Sequence, residues 1–388
     1  MLSGNNQSAG RGRHATVYFF YYATLGALLP YWSLYLQHLE FDASEIGELS
    51  AVLLVTKIIA PTIWAYVADH SGQRMRVTRI AVFACMCVFA LVLPAREYWT
   101  LLLVLACFGF FWNAALPQFE ASTMNYLDGN RYLYGRVRLW GSIGFVVTVL
   151  ALAPLLQGQG IRFLPWVVLV ILSGIWLSSL RVQDPPGRAS AGKHASLLAT
   201  CLRPPVIALL LAAFLIQMSH GAYYTFFSIY LEEHGYSRTE VGQLWVLGVL
   251  AEIVLFLMVY KLLSRFGARR LLGMAMLLTA IRWWLIAMYA ENLPVLLAAQ
   301  LLHAASYGLF HASAICIVDK YFSGALQGRG MAIYSSISFG LGISLGSLVS
   351  GYTWNAVGAS GVYLLSMVLA AIALLQYLWL GRPRWIRA

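Results

Sequence analysis

Long apolar stretches separated by short polar breaks run the length of the chain, and twelve of them reach the size of a membrane-spanning helix. A helix needs about 20 mostly apolar residues to cross a bilayer. That ruler predicts spans over residues 16–37, 44–68, 77–95, 98–124, 136–156, 162–180, 205–232, 239–263, 270–290, 293–318, 327–352 and 359–380. Barrel strands would be half as long and would alternate in polarity, which these runs do not. The pattern predicts an all-α integral membrane protein with twelve transmembrane helices. The first 15 residues are polar and lead into a span-length apolar segment, so no cleavable signal peptide is expected.

Composition agrees, since 60% of the 388 residues are hydrophobic and only 11% are charged, too apolar for an ordinary water-soluble globule. A net charge of +11 would by itself fit a nucleic-acid binder, but its distribution excludes that. The basic residues fall in alternate loops: Arg11 and Arg13; Arg74, Arg76 and Arg79; Arg131 and Arg136; Arg181, Arg188, Lys193 and Arg203; Lys261, Arg265, Arg269 and Arg270; Lys320 and Arg329; Arg382, Arg384 and Arg387. The opposite loops hold only Arg96, Arg162 and Arg238 beside Glu40, Asp42, Glu45, Glu232, Glu233, Glu240 and Glu291. By the positive-inside rule both termini are cytoplasmic, in a cell (inner) membrane. The five cysteines lie in or beside apolar spans at no metal-ligand spacing and are read as packing residues. Neither metal nor cofactor is expected.

One long polar stretch, residues 181–205 with paired prolines near both ends, reads as a cytoplasmic linker. It divides the chain into six-helix halves over residues 1–180 and 206–388. A shift of 195 positions lays the segment from Gly26 on the segment from Gly221 without a gap, matching Ser33 with Ser228, Tyr35 with Tyr230 and Gly47 with Gly242. The same shift carries Gly72 onto Gly267 and Arg74 onto Arg269. The halves are therefore read as a parallel duplication.

These residues carry a resemblance over the whole length to the major facilitator superfamily. WAYVADHSGQRMR is similar to its signature loop, with Asp69, Gly72, Arg74 and Arg76 in place; the second copy keeps Gly267, Arg269 and Arg270 but has Ser264 where the acid would stand. The resemblance implies two pseudo-symmetric bundles and gating roles for Asp69, Gly72, Arg74, Gly267 and Arg269. Arg136, at the inner edge of its span, joins that gate.

Five charges, Lys57, Glu120, Arg138, Glu252 and Arg282, sit within or at the edge of apolar spans. Each costs about 2.5–3.5 kcal/mol at a helix centre, which makes intramembrane ions functional candidates. The 195 shift superposes Lys57 on Glu252, so a cross-repeat ion pair is one reading. Glu120 and Arg138 flank a short turn and are expected at the same depth, where a carboxylate–guanidinium fork can form. Here PQFEAS with GRVRLWGS resembles the branch that contains lactose permease, the phenylpropionate permease and nucleoside/proton symporters. That resemblance implies substrate binding by Glu120 and Arg138, with Arg282 of AIRWW and His303 of QLLHAASYGLFHAS in the proton machinery. Two positions depart from it: Phe145 replaces a tryptophan that packs on a sugar ring, and Ser306 replaces a proton-carrying acid. The proton must then ride on another acid, Glu252 first and Glu120 second. His303 and His311 share a helix face with Tyr307 between them, and Tyr31, Tyr223 and Asn113 add aromatic and amide groups to the expected cavity.

The reading is a monomeric proton symporter that takes in a small organic molecule by alternating access. The cations and aromatics point to an aromatic carboxylic acid such as a phenylpropionate-like compound; a nucleoside or oligosaccharide is the alternative. A membrane-embedded enzyme would need paired metal-binding acids or a His-Glu-x-x-His helix, and neither is present. A receptor on this fold would need a soluble domain for which the short linker and tails leave no room.

Overall fold

The structure, a computed structural model, describes residues 4–183 and 197–380. The middle of the expected linker with Arg188 and Lys193, and the terminal Arg382, Arg384 and Arg387, lie outside the described residues, as does the side chain of Arg131. Ten helices follow in order: α1 Gly4–His38, α2 Ala43–Ser71, α3 Arg74–Ala90, α4 Tyr98–Tyr126, α5 Arg131–Leu155, α6 Leu164–Ser179, α7 Pro204–Glu233, α8 Arg238–Phe266, α9 Ala268–Met288 and α10 Leu293–Tyr321. The last helical stretch, Gln327–Leu380, breaks at Gly358 with φ 74° and ψ 163°, a backbone conformation open to glycine, into α11 (327–357) and α12 (359–380).

Nine stretches among the described residues are long and apolar enough to cross a membrane by composition alone. The count reaches the expected twelve because the Gly358 break makes two crossings of one stretch, α1 is diluted by tyrosines, and α3, at 17 residues, is at the short limit. The outer surface is inverted relative to a soluble protein. On α8, Leu257 is 79% exposed and Tyr260 81%, so hydrocarbon must cover them. The cysteines follow that pattern in part: Cys85 is buried, whereas Cys87, Cys107 and Cys316 are exposed and not packed as expected.

The helices group into two compact units. Most of α1 to α6 forms the first, with Ser237–Gly242 added; most of α7 to α12 forms the second, with Ala43–Val55 added. Within the first, Arg238 donates to the carbonyls of Leu156 and, at 2.9 Å, Gly158. In the second, Tyr352 donates to Glu48. Each unit uses the matched glycine of its first helix in the same way. A Cβ on Gly26 would stand 2.7 Å from the Phe145 carbonyl of α5, and one on Gly221 would overlap the Gly346–Ser347 backbone of α11. Close backbone approach at small residues is how membrane helices gain contact where no hydrophobic effect drives them together.

The turn that matters most joins α4 to α5. Asp128 and Gly129 take positive φ, 51° and 75°, and reverse the chain in four residues. Asn130 then caps α5, accepting from the Tyr132 and Leu133 amides at 3.1 Å each. Glu120 lies nine residues before Gly129 and Arg138 nine after it.

Candidate functional site

The signature loop closes on itself. Arg74 forms an ion pair with Asp69 and also donates to Gln118 Oε1 of α4 at 3.0 Å. Gly72, with φ 64°, ends α2 as its C-cap and bonds back to the Ala68 carbonyl. Asp69 and Arg74 thus pair within the loop, and Gln118 ties the pair to α4. Arg136 is exposed and points some 200° around α5 from Arg138, two residues on.

In the first unit the expected acid and arginine meet. Arg138 Nε lies 3.4 Å from Glu120 Oε1. The guanidinium is shared: besides Nε facing Glu120, Nη2 of Arg138 donates to Tyr22 Oη at 2.5 Å and the guanidinium lies 5.2 Å from the Tyr22 ring centre. Tyr134 donates its hydroxyl to the same Glu120 oxygen at 3.0 Å. Both charged side chains stay accessible, 44% for Arg138 and 33% for Glu120. Beside them Tyr21 stacks on Trp112 at 4.2 Å and 8°. Lys57 sits in a 3₁₀ turn, Thr56–Ile58, that interrupts α2, and Glu120 acts on it electrostatically. Asn113 donates to Thr56 of that turn at 2.9 Å. Phe145, seven residues beyond Arg138 on the same helix face, is buried. Tyr31 is fully buried and donates to the Val149 carbonyl at 2.9 Å, which makes it a tie between α1 and α5.

The second unit holds the other group. Arg282 on α9 is fully buried and its three acceptors are uncharged: the Ala299 carbonyl at 3.1 Å, Ser306 Oγ at 3.1 Å and Gln300 Oε1 at 3.3 Å. Its guanidinium lies 4.2 Å from the Tyr223 ring centre and 4.6 Å from that of Trp283, where the ring faces attract a cation. Tyr223 donates to Gln300 Oε1 at 3.1 Å. His303 Nε2 stands 3.8 Å from Glu252 Oε2. From His303 a row of rings follows: Tyr307 at 5.7 Å, then His311 at 6.1 Å, whose Nδ1 is 3.1 Å from Tyr334 Oη. Several buried polar atoms have no protein partner, among them His303 Nδ1, Gln300 Nε2, His220 Nε2 and both side-chain atoms of Gln217. Such atoms are where water or a ligand bonds.

Three features escaped the sequence. Tyr134 completes the Glu120–Arg138 group; it lies four residues before Arg138, a spacing that puts both on one face. Tyr334 partners His311 from another helix, and no local signal announces it. The helices also carry two π-helical turns, Ala304–Leu309 in α10, directly after His303, and Ser336–Gly342 in α11. π-turns cluster at functional sites. No three His, Cys, Asp or Glu side chains converge to hold a metal among the described residues.

A bundle-forming membrane protein whose interior charges sit on paired and interrupted helices is the architecture of a solute transporter. The chain matches the MFS_1-like family over residues 13–365 and belongs to that family of transporters. It is 28% identical to the "Probable 3-phenylpropionic acid transporter" of Escherichia coli (strain K12), over 90% of this chain and 93% of the relative. To the "Maltose permease" of Geobacillus stearothermophilus it is 24% identical, over 94% and 93%. The crystal structure of the nucleoside transporter NupG superposes with a TM-score of 0.84 at 16% identity, covering 96% of this chain and 99% of NupG. The fold is therefore the twelve-helix fold of these transporters, in a multi-pass membrane protein.

Proposed function

We propose that this transporter is a proton-coupled symporter, not an enzyme, that brings an aromatic carboxylic acid of phenylpropionate type into the cell by alternating access. The observation that carries the reading is the Glu120–Arg138–Tyr22 constellation. An ion pair kept only for structure would be expected to be buried; this one shares the guanidinium between Glu120 and Tyr22 and leaves a third or more of each charged side chain accessible. A substrate carboxylate can compete with Glu120 for the guanidinium, while half-buried Tyr22 beside it can meet an aromatic ring. The first relative named above is a probable transporter of such an acid.

The proton rides on Glu252, beside His303, with Glu120 as second carrier. The acid that the family resemblance would put at Ser306 is missing, and Ser306 instead accepts from Arg282. Lys57, Arg282 and His311 complete the coupling groups, and Asp69, Gly72, Arg74, Arg136, Gly267 and Arg269 the gates. The division into bundles over 1–180 and 206–388, the inner-membrane location with both termini cytoplasmic, and a monomeric state belong to the same reading. A second reading, a nucleoside or oligosaccharide symporter, draws on Asn113 and Glu120 as partners for hydroxyl groups and on the maltose permease relative. Uptake into proteoliposomes of labelled phenylpropionate, uridine and maltose separates the two. Accumulation of the acid alone supports the first reading; accumulation of either neutral compound alone replaces it.

A further inference from the structure

The two copies of the signature loop differ in one residue that changes what their arginines can do. In the first, Asp69 neutralises Arg74. At the matching position of the second stands Ser264, whose hydroxyl donates back to the Lys261 carbonyl at 3.0 Å. Arg269, the counterpart of Arg74, therefore has no loop acid and engages the Tyr377 hydroxyl of α12. It lines a cavity of about 370 Å³ between the starts of α7 and α9 and the ends of α10 and α12. Arg270 and Lys320 share the wall, Phe266, Ile317 and Tyr377 supply an apolar and aromatic side, and among the described residues no acid lines it. Asp319, next in sequence to Lys320, accepts instead from Gln327 at 3.0 Å. α9 begins at this cavity with Gly267 as an N-cap that has no capping side chain, so the positive end of a 21-residue helix adds to the field.

From this geometry we infer that the cavity binds the phosphate of an anionic phospholipid headgroup, which supplies the negative charge that Ser264 does not. Three cations around a concave site between helix ends, with an apolar wall for the glycerol and first methylenes, match the chemistry of a headgroup at the bilayer surface. The leaflet is the one at the basic end of the bundle, cytoplasmic in the orientation proposed above. The cavity involves neither the substrate nor the coupled proton.

Native mass spectrometry of the delipidated full-length protein, titrated with phosphatidylglycerol or phosphatidylcholine, tests it. One phosphatidylglycerol should be retained in preference to phosphatidylcholine. Arg270→Gln and Lys320→Gln should each weaken its retention about fivefold, and Ser264→Asp, which returns the loop acid to Arg269, should weaken it as well. Lys261→Gln with Arg329→Gln removes two basic charges from the same end but outside the cavity wall and should leave retention unchanged. Thermal unfolding in detergent verifies that each variant is folded. Equal retention of the two lipids, equal loss in the control variant, or displacement of phosphatidylglycerol by millimolar inorganic phosphate at matched ionic strength would overturn the assignment, the last by giving the site to free phosphate.

Discussion

Arg138 is the residue on which the substrate reading turns, and its surroundings set what a substitution should do. Lysine keeps the charge but offers a point donor where guanidinium offers a planar fork. Arg138→Lys should lose at least about tenfold in substrate affinity, as expected when a hydrogen bond between charged groups worth about 1.5–3 kcal/mol is misaligned. Tyr22→Phe removes the 2.5 Å contact that turns the guanidinium, and it should weaken binding while expression stays normal. Titration of substrate against the purified variants by calorimetry reads both, and unaltered affinity in both would remove Arg138 from the site. Glu252→Gln tests the proposed coupling group: it should abolish uphill accumulation yet leave exchange of labelled for unlabelled substrate intact. Unchanged accumulation would move the proton to another acid. That Glu120 and Arg138 meet was legible in the sequence because equal distances from a tight turn put residues of antiparallel helices at one depth. Their bonding pattern was not legible, because it depends on Tyr22, which comes from α1, more than a hundred residues away.

Helices differ in how plainly the chain announces them. Apolar runs located every crossing, yet the ends moved. α1 starts at Gly4, where the sequence pattern placed residue 16, because polar residues extend a helix beyond hydrocarbon at no cost. The 3₁₀ turn at Lys57 and the π-turns after His303 and in α11 were invisible, since a shift from i→i−4 bonding is decided by packing and not by composition. The matched glycines, in contrast, were readable from the internal repeat and prove to be the contacts of α1 with α5 and of α7 with α11. Gly221→Leu would drive a side chain into the α11 backbone and should destabilise the protein by about 1–3 kcal/mol, visible as a lower unfolding temperature in detergent. An unchanged temperature would mean that α7 and α11 are not in close contact. In the signature loop, proposed as a gate, Asp69→Asn breaks the ion pair with Arg74 and should slow turnover with little change in substrate affinity; an equal loss of binding would give the pair a different role.

The whole molecule holds the Glu120–Arg138 group in one unit and the Glu252–His303 pair in the other, and the function proposed for it is the coupling of the two. A carboxylate that enters with one proton carries no net charge, so the pH gradient drives its accumulation, and only a second proton would add the roughly 2.3 kcal/mol per 100 mV of a membrane potential. Coupling also has a signature that binding alone cannot produce. The decisive measurement is the external pH of lightly buffered, right-side-out membrane vesicles when phenylpropionate is added without any imposed gradient. Wild-type protein should alkalinise the medium as substrate and proton enter together, Glu252→Gln should abolish that signal, and Arg138→Lys should require far more substrate to produce it. Substrate entry with no change in external pH would contradict proton symport.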